Sequence, residues 1–107
     1  EIHRRLPNAF ELLHSIAIAA RLEAEAGAPK RAARLWGAEE LLREQFDIPL
    51  TPTEQGSRDA HVARARRDLD EEEFATAWAQ GRTMTKESAL EFASDVASAK
   101  NLPASSD

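Results

Sequence analysis

The sequence contains no cysteine. That excludes a disulfide framework, thiolate chemistry and zinc–thiolate sites, and it fits a reducing compartment. Long hydrophobic runs are missing too. The longest, from Ile16 to Ala20, is far short of the ~20 apolar residues that a membrane helix needs, and no signal-peptide pattern is present. Basic charge is scarce, with 14 Lys and Arg against 19 Asp and Glu, for a formal net charge of −5. Nucleic-acid binding requires a basic face, so direct contact with DNA or RNA is not expected of these residues. There is no glycine-rich phosphate loop and no His–acid–nucleophile grouping, and the serines and threonines fall at helix caps and in the tail. No catalytic, cofactor-binding or metal-ligating residue is therefore assigned, and an enzyme is not expected.

What is present is helical. The 107 residues are 42% hydrophobic and 31% charged, which suits one globular domain rather than a disordered chain. Much of the apolar share is alanine, so the core should be thin and built from close helix approaches. The chain opens at Glu1 rather than methionine, and helical sequence follows within a few residues. A piece of a larger protein is expected, with residues 1–100 as one helical domain and 101–107 as a flexible tail or linker.

After a short lead-in, Pro7 or Asn8 starts a first helix that runs to about Ala26 and is closed by Gly27. Phe10, Leu13, Ala17, Ala20 and Ala24 form its apolar stripe, widened by Leu12, Ile16 and Ala19. The two-residue link Gly27–Ala28 forces an antiparallel hairpin with a second helix, opened by Pro29 and extending to Phe46. On that helix Leu35, Ala38, Leu42 and Phe46 make one stripe, and Ala33, Gly37 and Leu41 make another. Together they cover about half the cylinder, wider than the ~100° stripe of a helix with a single neighbour. Gly37, inside the helix at a cost of about 1 kcal/mol against alanine, implies that another helix backbone crosses the Ala33–Gly37 surface, with Trp36 at its edge.

Asp47 to Leu50 reads as an extended loop covering the hairpin's end. Thr51, Pro52 and Glu54 then supply an N-cap, a first-turn proline and a capping-box acid for a third helix to about Leu69. Its apolar face is weak, comprising Val62, Ala65 and Leu69. Asp70 and Glu73 cap a fourth helix that places Phe74, Ala77, Trp78 and Gly81 on one side and ends at Gly81. Thr85 caps a fifth, Lys86 to about Ala99, with Ala89, Leu90, Ala93, Val96 and Ala97 inward and Phe92 at the margin. The predicted fold is all-α, with five helices and no strand.

Candidate chemistry is thin. His3, His14 and His61 lack the i+4 partners of a metal site. The acidic run from Asp70 to Glu73 is what a helix N-terminus favours, and it lacks the alternating ligands and turn glycine of a calcium loop. Arg64, Arg66 and Arg67 form a basic cluster, but Asp59, Asp68 and Asp70 lie close enough to pair with it along the helix. The fourth and fifth helices superficially follow a helix-turn-helix pattern. However, the second presents Lys86, Glu87, Glu91 and Asp95, which are net negative and unsuited to base edges.

Two stretches resemble a known family. Ala32-Ala-Arg-Leu-Trp-Gly-Ala-Glu-Glu-Leu-Leu-Arg-Glu with Ile48-Pro-Leu looks like the last helical repeats of LuxR-type regulators and multidomain signalling ATPases of actinobacteria, some of them cyclase-linked. Asp70 to Ala89, with its Gly-Arg-x-Met-Thr-x-Glu-x-Ala turn from Gly81, resembles the segment that closes those repeats. Ala33, Trp36 and Gly37 fit a tetratricopeptide first helix, with Glu40 at the usual tyrosine place and Asp47 where relatives commonly carry glycine. No period of about 34 residues runs through the whole chain, so the repeat is partial. The resemblance implies a tetratricopeptide-like hairpin followed by three shorter capping helices. It further implies a cytoplasmic, non-catalytic sensor or interaction module without a cofactor. Such a module would contact a protein partner, a small inducer or other domains of its parent chain, with no membrane and no nucleic acid of its own. ATPase and DNA-binding output would lie elsewhere in the parent. The alternatives are a free-standing helical scaffold or adaptor unrelated to transcription and a purely structural end-cap with no ligand.

Overall fold

The computed structural model describes residues 9–99, and side chains through residue 95. Those residues form five α-helices and no strand: α1 (Ala9–Glu25), α2 (Pro29–Phe46), α3 (Pro52–Arg67), α4 (Glu71–Gly81) and α5 (Lys86–Ala99). Among the described residues no helix is long and apolar enough to cross a membrane. The expectations for His3, for Pro7 or Asn8 as the helix start, and for the tail at 101–107 lie outside the described residues, as do the side chains of Val96 and Ala97.

Local chemistry places the helix ends. Gly27 takes a left-handed φ of 83°, and Ala28 N–H donates to the Glu23 carbonyl at 2.8 Å, which satisfies orphan carbonyls at the end of α1. Asp47 does the same for α2 with φ 58°, while Ile48 N–H bonds the Arg43 carbonyl at 2.9 Å. The turn that glycine usually makes is thus made by an aspartate, a residue type that tolerates this region better than most. Full capping boxes, Thr51 with Glu54 and Asp70 with Glu73, open α3 and α4. Thr85 Oγ1 accepts from Ser88 N–H at 3.0 Å at the head of α5.

The helix α2 is the axis of the molecule and packs against all four others. Ala32, Ala33, Leu35, Trp36, Gly37, Ala38 and Leu42 are buried on it, a girdle broader than the half-cylinder expected. Trp36 is 3% exposed and so lies within the core rather than at its edge. Leu12, Leu13, Ile16, Ala19 and Ala20 of α1 meet this girdle. The completely buried Leu13, Ile16, Leu35 and Leu42 each contribute on the order of 1.5–3 kcal/mol of transfer free energy. The inward face of α1 is centred on Leu12, Ile16, Ala19 and Glu23, roughly a quarter turn from the predicted stripe. Phe10, expected inward, therefore faces solvent at 69% exposure.

Glycine sets the α2–α4 crossing. A Cβ built on Gly37 would collide with the Trp78 carbonyl oxygen, and one built on Gly81 with the Arg34 carbonyl oxygen. The backbone predicted to pass over Gly37 is that of α4. Gly81 is the last residue of α4 and lacks a positive φ, so its role is close approach rather than termination. Around the crossing, Trp78 contacts Trp36 and Phe74 with ring centroids 6.3 and 5.5 Å apart, in the tilted range that aromatic pairs prefer. Helix α5 closes the other side, with Ala89 and Ala93 buried against the core and Arg31 standing 4.8 Å over the Phe92 ring.

Candidate ligand groove

The helix α3 is held differently. Only Ala65 is buried on it, with Val62 partly covered. Because so little apolar surface pulls it inward, α3 leaves a cavity of about 290 Å³ against α1 and α2. Three faces build it. From α1 come His14, Ala17, Ile18 and Arg21; from α2, Trp36, Glu39 and Arg43. Leu50 and the first half of α3, through Ser57, Arg58 and His61, complete the wall.

Charge is unevenly spent here. Arg43 Nε donates to Glu39 Oε2 at 2.8 Å and its Nη1 to the Ile48 carbonyl at 3.1 Å. Glu39 is 2% exposed, so this pair is an internally neutralised base for the groove. Arg21 stands 4.0 Å from Glu25 in an exposed, weak pair. Arg58 has no carboxylate partner among the described residues. Its Nη2 donates to the Trp36 carbonyl at 3.0 Å, its guanidinium lies 5.1 Å over the Trp78 ring, and its shielded Nε–H has no acceptor among the described residues. Glu54 is held below its ordinary carboxylate value, chiefly by the Thr51 backbone N–H that it accepts at 2.9 Å, with Arg43 and His14 adding smaller attraction.

His61 Nδ1 lies 2.8 Å from the Ser57 carbonyl, which can only accept, so the ring proton sits on Nδ1. Its Nε2 is 3.9 Å from Glu25. The histidine thus reaches Ser57's backbone rather than its hydroxyl, and the two do not form a nucleophile and base. Among the described residues no three His, Asp or Glu side chains converge as metal ligands.

The packing residues named from the sequence, Trp36, Gly37, Trp78 and Gly81, meet at the α2–α4 crossing, and the two tryptophans also reach the groove through Arg58. That crossing is stitched on its outer side. Trp78 Nε1 donates to Glu40 at 2.8 Å, and Arg82 donates to Glu40 at 2.9 Å and to Glu44 at 2.9 and 3.1 Å. The hydrogen bond from Arg82 holds the Glu44 carboxyl below its ordinary value, and Glu44, followed by Glu40, pushes the guanidinium still further from deprotonation. Glu40 is therefore a bridge between helices.

The acidic run after Leu69 is structural: Asp70 and Glu73 cap α4, and Glu71 pairs with Arg66. Arg66 also lies 4.9 Å over the Phe74 ring, so its partners are on α4 rather than the aspartates Asp59, Asp68 and Asp70 expected for it. Arg64 and Arg67 remain on the exposed face. The groove itself was not foreseen. The signal for it was the feeble apolar face of α3 joined to one arginine, Arg58, on the side of Val62 and Ala65.

Comparison with protein-family models, with curated proteins and with solved structures finds no match to this chain.

Proposed function

We propose that the chain is the C-terminal part of the tetratricopeptide-like helical region of a LuxR-type multidomain regulator. It acts there, in the cytoplasm, as a non-catalytic sensor and contact module. The observation that carries this reading is the contrast between a closed α2–α4 crossing and an open groove under α3. A scaffold that is fixed on one side and accessible on the other can receive a ligand, and a contact there biases the position of one helix relative to a rigid axis. The residues that carry the family resemblance support it from another direction: Trp36, Gly37, Trp78 and Gly81 are the ones the crossing needs.

The test is the reading frame on both sides of these 107 residues. A Gly-x-x-x-x-Gly-Lys-Ser/Thr phosphate loop upstream, with a helix-turn-helix on either side, is the expected result. A frame holding only more helix pairs would overturn the regulator reading in favour of a helical adaptor.

A further inference from the structure

We propose that the α1–α2–α3 groove binds a compact amphiphilic carboxylate, an acid with one short anionic arm and one apolar ring or branched body. The inference rests on the reading of this domain as a contact module and names the chemistry of its ligand. Size comes first. At about 290 Å³ the groove lies at the lower edge of the ~300–1,000 Å³ of small-molecule sites, which suits a single ring rather than a peptide or nucleotide.

Polarity decides the rest. Ala17, Ile18, Leu50 and Trp36 are the apolar residues of its lining. With them stands Arg58, the groove arginine that no carboxylate neutralises among the described residues, anchored by the Trp36 carbonyl and the Trp78 ring face. A guanidinium fixed from behind keeps its remaining donors in a planar fork that matches a carboxylate. The other hollows lack this combination: beside Gly27, Arg64 and Arg67 share theirs with Glu25 and Asp68 and with no apolar side chain larger than Ala24. Between α2 and α4, Lys30 pairs with Glu73 at 3.9 Å, Arg34 donates to Gln80 at 2.9 Å, and Asp70 and Glu72 add negative charge to a lining whose one apolar member is Ala77. Between α1 and α5 the walls are Ile18, Leu22, Leu90 and Ala93, with no charged group to orient a ligand.

The experiment uses the whole 107-residue chain, uniformly 15N-labelled, titrated with phenylacetate and, separately, with its uncharged isostere phenylacetamide at low ionic strength. Phenylacetate is expected to shift amides of α1 around residues 14–21 and of α3 around 53–61, and to bind at least tenfold tighter than the amide. Arg58→Gln should lose that tenfold preference, whereas Arg64→Gln, on the exposed face of the same helix, should keep it. Ala17→Phe fills the groove while leaving every charge in place, and it should abolish the shifts even if Arg58→Gln proves unstable. Equal affinity for acid and amide, unchanged binding in Ala17→Phe, shifts mapping elsewhere, or no shifts at all would each overturn the proposal. None of these bears on the flanking reading frame, so loss of the ligand proposal and loss of the regulator reading are separate results.

Discussion

Two helices lie on α2 and meet it in opposite ways. At α4, two glycines and two main-chain carbonyls interlock, aromatic rings fill the flanks, and Glu40, Arg82 and Glu44 lace the outer edge. At α3, one buried alanine, a partly covered valine and the Arg58–Trp36 hydrogen bond make most of the contact. At its glycines the first interface leaves no room for a methyl group, and the second leaves a groove. Both are helical and begin with the same capping box, so local helix-forming chemistry does not separate them. What separates them is side-chain volume at the contact: removed at α4 so that backbones touch, and never supplied at α3.

Breaking the tight side should have the largest effect. Glycine to alanine inside a helix ordinarily stabilises by up to about 1 kcal/mol. At Gly37 and Gly81 the sign should reverse, because the added methyl meets a carbonyl that cannot move without moving its helix. We expect each of Gly37→Ala and Gly81→Ala to cost about 3 kcal/mol or more, read from urea melts. An unchanged midpoint would refute the crossing as described. On the loose side, Thr51→Ala removes half of the α3 capping box and should cost about 1 kcal/mol. Native-state hydrogen exchange should locate that loss in α3, whose amides open at lower free energy than those of α2. Uniform protection across both helices would erase the distinction.

Gly56→Ala sharpens the comparison from the other direction. A Cβ there meets nothing within 4 Å, so the ordinary helix preference applies and a gain of about 0.5–1 kcal/mol is expected in the same urea assay. Acid should have the smallest effect. The folded values of Glu44 and Glu54 are lowered, by Arg82 and by the Thr51 N–H respectively. Their contribution is therefore present above the unfolded carboxylate value of about 4.3 and is lost as pH falls through the lower folded values. Glu54→Gln keeps an oxygen for the Thr51 N–H but no longer titrates. Between pH 6 and pH 3 its melting temperature should fall by less than that of the unaltered chain.

The sequence announces the tight interface much more clearly than the loose one. A glycine inside a helix with alanine four positions earlier points to a close crossing, whereas Gly81 reads in the sequence as the end of α4 and only its contact with the Arg34 carbonyl shows its part in that crossing. The α2 boundaries at Pro29 and Phe46 and both capping boxes were equally legible, because each is set by a few adjacent residues. Burial direction was harder. On α1 alanines surround the helix, and counting apolar residues weights Phe10 and Ala17 equally with Leu12. The actual face includes Glu23, buried at 3% exposure with Arg31 beside it at 2.5 Å, a charge that hydrophobic periodicity assigns to solvent. Glu39 escaped for the same reason. The groove was illegible because it is made of what three separate elements fail to fill.

After Phe46 the chain keeps only a thin hold on the core, through Ile48, Val62 and Ala65, and returns at Phe74 to the same helix it left. Both ends of that excursion are fixed by α2, and its middle touches the crossing through Arg58 over the Trp78 ring and Arg66 over the Phe74 ring. Closing a longer loop costs only about 0.6 kcal/mol for each doubling. The length of the loop between α2 and α3 therefore sets where α3 lies: a residue inserted between 47 and 51 would move the groove's third wall while the glycines of α2 and α4 keep their own contact.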